Sequence, residues 1–159
     1  MILEGESVKL VPFSEPWNME YLWTLIQQCR FNKIRSREAF EACQQFGRHY
    51  WIGYTKAGER GGVVFLNYIP QINMWTLDAY RDDLFLWGIQ ARKDWSFEAG
   101  KLVCNFFFQN KMCDILFTAH SRNNIHATRV CKRLGFKEND SIDIENIVPG
   151  HILLAKLGE

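Results

Sequence analysis

The stretch Asn123–Glu138, NNIHATRVCKRLGFKE, decides how this chain is read. Asn124 can cap a helix through its side-chain oxygen, which satisfies one of the free N–H groups of the first turn. Ala127, Val130, Cys131 and Leu134 follow at the three- and four-residue spacing of one helix face. Arg129, Lys132 and Arg133 fall on the opposite, solvent side. Gly135 stands where a left-handed residue ends a helix, and Phe136 can fold back on the last turn. Capping and packing alone therefore account for nearly every residue.

The elements around it can be read outward. SVKLVPF (7–13) alternates as a strand, and SEPWNMEYLWTLIQQCR (14–30) reads as a helix with Ser14 at its N-cap and Pro16 in the first turn. Met19, Leu22, Trp23 and Ile26 form its apolar stripe. A short helix, REAFEACQQF (37–46), follows Ser36 and stops at Gly47. RHYWIGYT (48–55), GVVFLNYI (62–69) and NMWTLDAY (73–80) are three meander strands, the first two joined by the glycine-containing turn KAGERG. ARKDWSFEAGKLVCNFFFQN (91–110) is a helix with the stripe Trp95, Ala99, Leu102, Val103 and Phe106. DILFTAH (114–120) is a strand buried on both faces, and GFKENDSIDI and HILLAKL close the chain as an antiparallel pair. The order β-α-α-β-β-β-α-β-α-β-β implies an α/β (α+β) fold, a mixed sheet with helices on both faces, in one domain over 1–159.

Composition narrows the function classes. Nineteen basic and eighteen acidic side chains leave a net charge of +1, which gives no electrostatic case for a nucleic-acid or membrane partner. The longest apolar runs are far too short to span a bilayer, and the acidic start lacks the core of a signal peptide. Five cysteines, none in a C-x-x-C pair and none grouped with the histidines, read as reduced thiols and leave no metal site. Aromatics reach 14%, with six Trp and twelve Phe, which suits a large core, a ligand groove or a protein interface.

Asn124, Ala127, Arg129, Val130, Leu134, Gly135 and Phe136 together resemble the N-x-x-[AS]-x-R-V-x-x-x-L-G-F segment of the GNAT N-acetyltransferase superfamily. The branch that acetylates protein N-termini, ribosomal ones included, is the most similar, and the element order matches over essentially the whole chain. The resemblance implies acetyl-CoA as cofactor and a primary amine as acceptor. It implies that the third meander strand and the next strand splay apart around the pantetheine, with Asn124 beside it. It places the pyrophosphate on a loop at the start of the following helix, where N–H groups and the helix dipole favour anions. That loop usually reads Q/R-x-x-G-x-G/A.

Here the corresponding residues are Gln90 to Trp95, QARKDW. Gln90 fits, Lys93 and Trp95 replace small residues, and Arg92 and Lys93 supply charge in place of glycine; Asp94 completes the segment. Many relatives carry a tyrosine seven residues after the motif asparagine as the acid for the leaving thiolate; Cys131 occupies that position. Asp78, with Thr76 on the strand face opposite Trp75 and Leu77, is the candidate base. His120 ends its strand where open α/β sheets gather ligands. Arg129 is a candidate phosphate contact. The expected site is thus Asp78 and Cys131 for catalysis, with Gln90, Arg92, Lys93, Asp94, Trp95, Asn124 and Arg129 for the cofactor. The alternative is a catalytically silent GNAT-like binding or structural protein with a protein partner, similar to divergent tailed-bacteriophage proteins of head assembly or the virion. The first reading implies a cytoplasmic location, the second a virion-associated one.

Overall fold

Alternating apolar residues and glycine-bounded turns build a sheet that runs through the whole chain. The computed structural model describes residues 1–29, 31, 34, 36–43, 48–82 and 94–158. Its strands are β1 (Leu3–Glu4), β2 (Val8–Pro12), β3 (Arg48–Thr55), β4 (Arg60–Ile69), β5 (Met74–Arg81), β6 (Ile115–Ser121), β7 (Lys137–Glu138) and β8 (His151–Leu157). Its helices are α1 (Pro16–Gln28), α2 (Arg37–Cys43), α3 (Trp95–Gln109), α4 (Ile125–Arg133) and α5 (Ile144–Ile147). The sheet order is β1-β2-β3-β4-β5-β6-β8-β7. All neighbours are antiparallel except β5 and β6, which are parallel.

Strand alternation divides the core between two faces. Val8, Leu10, Trp51, Val64, Leu66, Leu77, Leu116 and Leu154 pack under α3 on one face. Ile52, Val63 and Phe65 pack against Leu22, Leu25, Ile26 and Phe40 of α1 and α2 on the other. Phe117, Met74 and Leu153 extend that second face past α1 and α2, where Ile142 and Ile144 pack against them.

Several local readings shift. α1 starts with Glu15, not Ser14, at its N-cap, because the Asn18 side-chain oxygen reaches back to accept from both the Ser14 and Glu15 N–H groups at 3.0 and 3.1 Å. Its buried face is Asn18, Leu22, Leu25 and Ile26, so Met19 and Trp23 lie at the margin. α2 is described only to Cys43; the expected stop at Gly47 lies outside the described residues. In α3 the buried face turns to Trp95, Ala99, Gly100, Val103, Cys104 and Phe107, leaving Leu102 and Phe106 half-buried. The strand expected through 144 pairs only at Lys137 and Glu138, after which the Asp143–Ile147 region turns into α5. β1, too short for a period, has no counterpart in the sequence reading.

One core contact bears on the site. Trp95 is 1% exposed. A β-carbon on Gly53 or Gly61 would sit 2.2 or 2.5 Å from its ring, so these two strand glycines make the slot that receives the indole.

Candidate active site

The β5–β6 junction differs from every long pairing in the sheet. β4 and β5 are in register from Gly62–Arg81 to Ile69–Met74, and β6 and β8 from Ile115–Leu157 to Ser121–His151. Between β5 and β6, among the described residues, the register is the single pair Thr76–Phe117. Past that pair a side chain bridges the strands: Thr118 Oγ1 donates to the Leu77 carbonyl at 2.9 Å, with Thr118 buried. The strands thus part toward their C-terminal ends, as the resemblance implied.

α4 stands over this gap. Asn124 is its N-cap, and its Oδ1 accepts from the Ala127 N–H at 3.1 Å. Gly135 ends the helical turn at φ 99°, the left-handed conformation expected there. The expected buried stripe is not buried within the helix: Ala127, Val130 and Cys131 are all half-exposed, and only Leu134, at the C-cap, reaches the core. The physical reason is the parted strands, which leave no continuous surface for the first two turns to cover.

The inner wall is small and polar. His120 Nε2 lies 2.8 Å from Thr128 Oγ1, whose hydroxyl donates to the Asn124 carbonyl at 3.3 Å. Since that hydroxyl has one proton, the Nε2–H tautomer of His120 completes the chain. Burial, and then the nearby His151, bring the His120 pKa down to about 4, so its imidazole is neutral at physiological pH. Burial pushes the Cys131 thiol up to about 11; a Thr118 hydrogen bond lowers it and the Asp78 charge raises it further. Cys131 therefore carries its proton at neutral pH.

Asp78 feels that thiol from the other side of the sheet. It is in register with Phe65 of the α1/α2 face, while its neighbour Leu77 belongs to the α3 face. Thr76 Oγ1 donates to Asp78 Oδ2 at 3.0 Å, so the two do share a face. A row of rings lies next to it: Phe13 stacks on Tyr50 at 4.9 Å, Tyr50 meets Phe65 at 4.9 Å, and Phe65 stacks on Tyr80 at 6.3 Å. The gap thus joins a carboxylate on one face to a protonated thiol on the other.

The cofactor candidates separate. Gln90, Arg92 and Lys93 lie outside the described residues. Trp95 sends its side chain into the core, so only its backbone can face a ligand. Asp94 adopts a left-handed conformation, φ 58°, at the N-cap of α3, and its Oδ1 pairs with Arg133 Nη1 at 3.0 Å. Arg133 also lies 4.1 Å over the Phe97 ring. This contact fixes the start of α3 against α4. Arg129 is exposed on α4 one turn before Arg133. Sequence reasoning missed Thr118, because nothing in the sequence marked where β5 parts from β6.

No family model and no curated protein sequence matches the chain. Solved structures do match along its whole length. An acetyltransferase from Agrobacterium tumefaciens is 16% identical with a TM-score of 0.74, covering 98% of this chain and 93% of that one. A ribosomal-protein-S5-alanine acetyltransferase from Vibrio fischeri is 15% identical with a TM-score of 0.70, covering 100% and 97%. The ribosomal L7/L12 alpha-N-protein acetyltransferase RimL, in complex with coenzyme A, is 12% identical with a TM-score of 0.69, covering 99% and 98%. The fold is that of the GNAT acetyltransferases. Among its structural neighbours are ribosomal-protein acetyltransferases, and in one of them the fold holds coenzyme A. Among the described residues, no helix is long and apolar enough to cross a membrane, and no group of His, Cys, Asp and Glu is arranged for a metal.

Proposed function

We propose that the chain is an acyl-CoA-dependent N-acetyltransferase acting on a primary amine. The observation that carries this reading is the β5–β6 gap, which has Asp78 on one face of the sheet and the Asn124–Thr128–Cys131 side of α4 on the other. A thin, half-exposed wall of small and polar side chains suits an extended pantetheine arm, whose amides need partners along their length. When bound, acetyl-CoA supplies an activated acetyl thioester.

The residues divide the remaining work. The Asp78 carboxylate accepts a proton from the acceptor ammonium on the α1/α2 face, leaving the amine lone pair free. The aromatic row beside it offers ring faces to an approaching cation. Cys131, protonated at neutral pH, holds a proton on the cofactor face for the departing thiolate. Asn124 and the His120–Thr128 pair fix the α4 wall, so reactants meet in one orientation.

Differential scanning fluorimetry with acetyl-CoA tests the cofactor half of this reading. At a ligand concentration of 100 times Kd, the native state gains about 2.7 kcal/mol, a clear rise in Tm. No rise at millimolar acetyl-CoA sinks the proposal. Asp78→Asn should keep the rise and lower turnover of a primary-amine acceptor by about 10²- to 10⁴-fold. A normal rise together with no transfer to any amine, in the unaltered protein, points instead to the silent binding protein.

A further inference from the structure

β5 loses one of its two neighbours just before Asp78. Thr76 is in register with Asn67 of β4 on one side and with Phe117 of β6 on the other. Asp78, two residues on, is in register with Phe65 of β4, and among the described residues it has no register partner in β6. The carboxylate thus stands just past the last position at which both neighbouring strands hold β5. A segment with fewer backbone contacts opens and shifts more readily, which is a poor place for a group that must take a proton in one geometry.

Two threonine hydroxyls act at this place. Thr118 Oγ1 donates to the Leu77 carbonyl at 2.9 Å, and that carbonyl belongs to the same planar peptide unit as the Asp78 N–H. A side chain of β6 therefore holds the Asp78 backbone where the ladder has stopped. Thr76 Oγ1 donates to Asp78 Oδ2 at 3.0 Å and holds the carboxylate itself. Strand alternation puts these two side chains on one face, and the branched Thr76 keeps its hydroxyl in few rotamers. A carboxylate has about four lone-pair sites, so it can accept this bond and still receive a proton from an amine.

We propose that Thr76 is a positioning residue for the transfer step: its hydroxyl ties the Asp78 carboxylate to the last doubly paired position of β5 and fixes the direction from which the acceptor ammonium gives up its proton. This role rests on Asp78 being the base. Without the tether the carboxylate turns about its side-chain torsions, and orientation is lost with it.

Thr76→Val keeps the branched shape and removes the hydroxyl, whereas Thr76→Ser keeps the hydroxyl. Among the described residues, the titratable and charged groups around Asp78 are Cys131 from α4, Tyr80 and Asp82 at alternate positions beyond it, Tyr50 of β3, Tyr21 of α1, and Arg60 of β4 over the Tyr21 ring. These variants alter none of them, so a change in the Asp78 titration reports the hydroxyl. Carbon-13 NMR titration of Asp78 Cγ, assigned with Asp78→Asn, reads it with no ligand present. Loss of a hydrogen bond to a charged group should raise the midpoint by about one pH unit in Thr76→Val, and Thr76→Ser should stay near the unaltered protein.

The kinetic arm uses acetyl-CoA with a panel of primary amines: a tetrapeptide with a free N-terminus, spermidine and phenethylamine. In Thr76→Val the acidic limb of kcat/KM should move up with the Asp78 midpoint, and kcat should fall about tenfold while KM for acetyl-CoA holds. An unchanged midpoint in Thr76→Val overturns the tether. A moved midpoint with an unmoved kcat/KM profile overturns its part in the reaction. A moved midpoint in a protein that acetylates none of these amines keeps the tether and overturns the acetyltransferase reading. Melting curves identify a variant that fails to fold, and Thr76→Ala then takes the place of Thr76→Val.

Discussion

α3 and α4 pack on the same face of the sheet, and both have an apolar stripe, yet only α3 buries it. Six of its residues are buried, with Trp95 in the Gly53–Gly61 slot, because the strands beneath it stay paired along their length, with one register shift between Gly53 and Tyr54 beside the slot. α4 buries none, because it lies over strands that have parted. The same periodicity makes a core in one place and the wall of a groove in the other. What decides between them is the continuity of the surface below.

The contrast can be broken most forcefully at Trp95. Replacing it by alanine should cost about 3–5 kcal/mol, read from the urea midpoint, because a large cavity opens in a closed slot. A loss below about 1 kcal/mol would put the indole outside the core. Gly53→Ala attacks the same slot from the strand side and should cost about 1–3 kcal/mol through overpacking. On α4, Cys131→Ala should cost only about 1 kcal/mol, since a half-exposed thiol removes little apolar burial. Turnover should fall more than stability does, and a core-sized loss of stability would erase the difference between the two helices.

The pH dependence sharpens the comparison further. His120 has a folded pKa of about 4 against an ordinary 6.5, so the unfolded chain binds more protons between those values. Its contribution to stability is present above pH 6.5 and is lost as pH falls toward 4. The Tm should decline over that window, and His120→Gln should flatten the decline. A Tm profile identical in the variant would remove His120 from the α4 wall.

Much of the fold was readable because local rules and tertiary packing agree. RHYWIGYT is β3 residue for residue, since alternation and the following glycine turn both specify a strand. Asn124, Gly135 and Phe136 bound α4 as capping chemistry requires. β7 was overread because Ile142 and Ile144, which look like strand positions, instead pack as a turn and a short helix beside Phe117, Met74 and Leu153. Asp78 and Cys131 were visible as chemistry, but not as partners across one opening. No alternation rule says that two strands pair once and then separate.

The sequence by itself determined most of the elements and the caps of α4, because those follow from neighbours three or four residues apart in helices and two apart in strands; the α1 cap, the buried faces of α3 and α4 and the short β7 did not follow from it. Only the tertiary structure decided that the Trp95 side chain fills the Gly53–Gly61 slot, that the α4 stripe is a wall, and that Asp78 and Cys131 act on one another across the opening. Each of these depends on groups distant in the chain meeting at the point where β5 leaves β6, and local periodicity carries no information about that meeting.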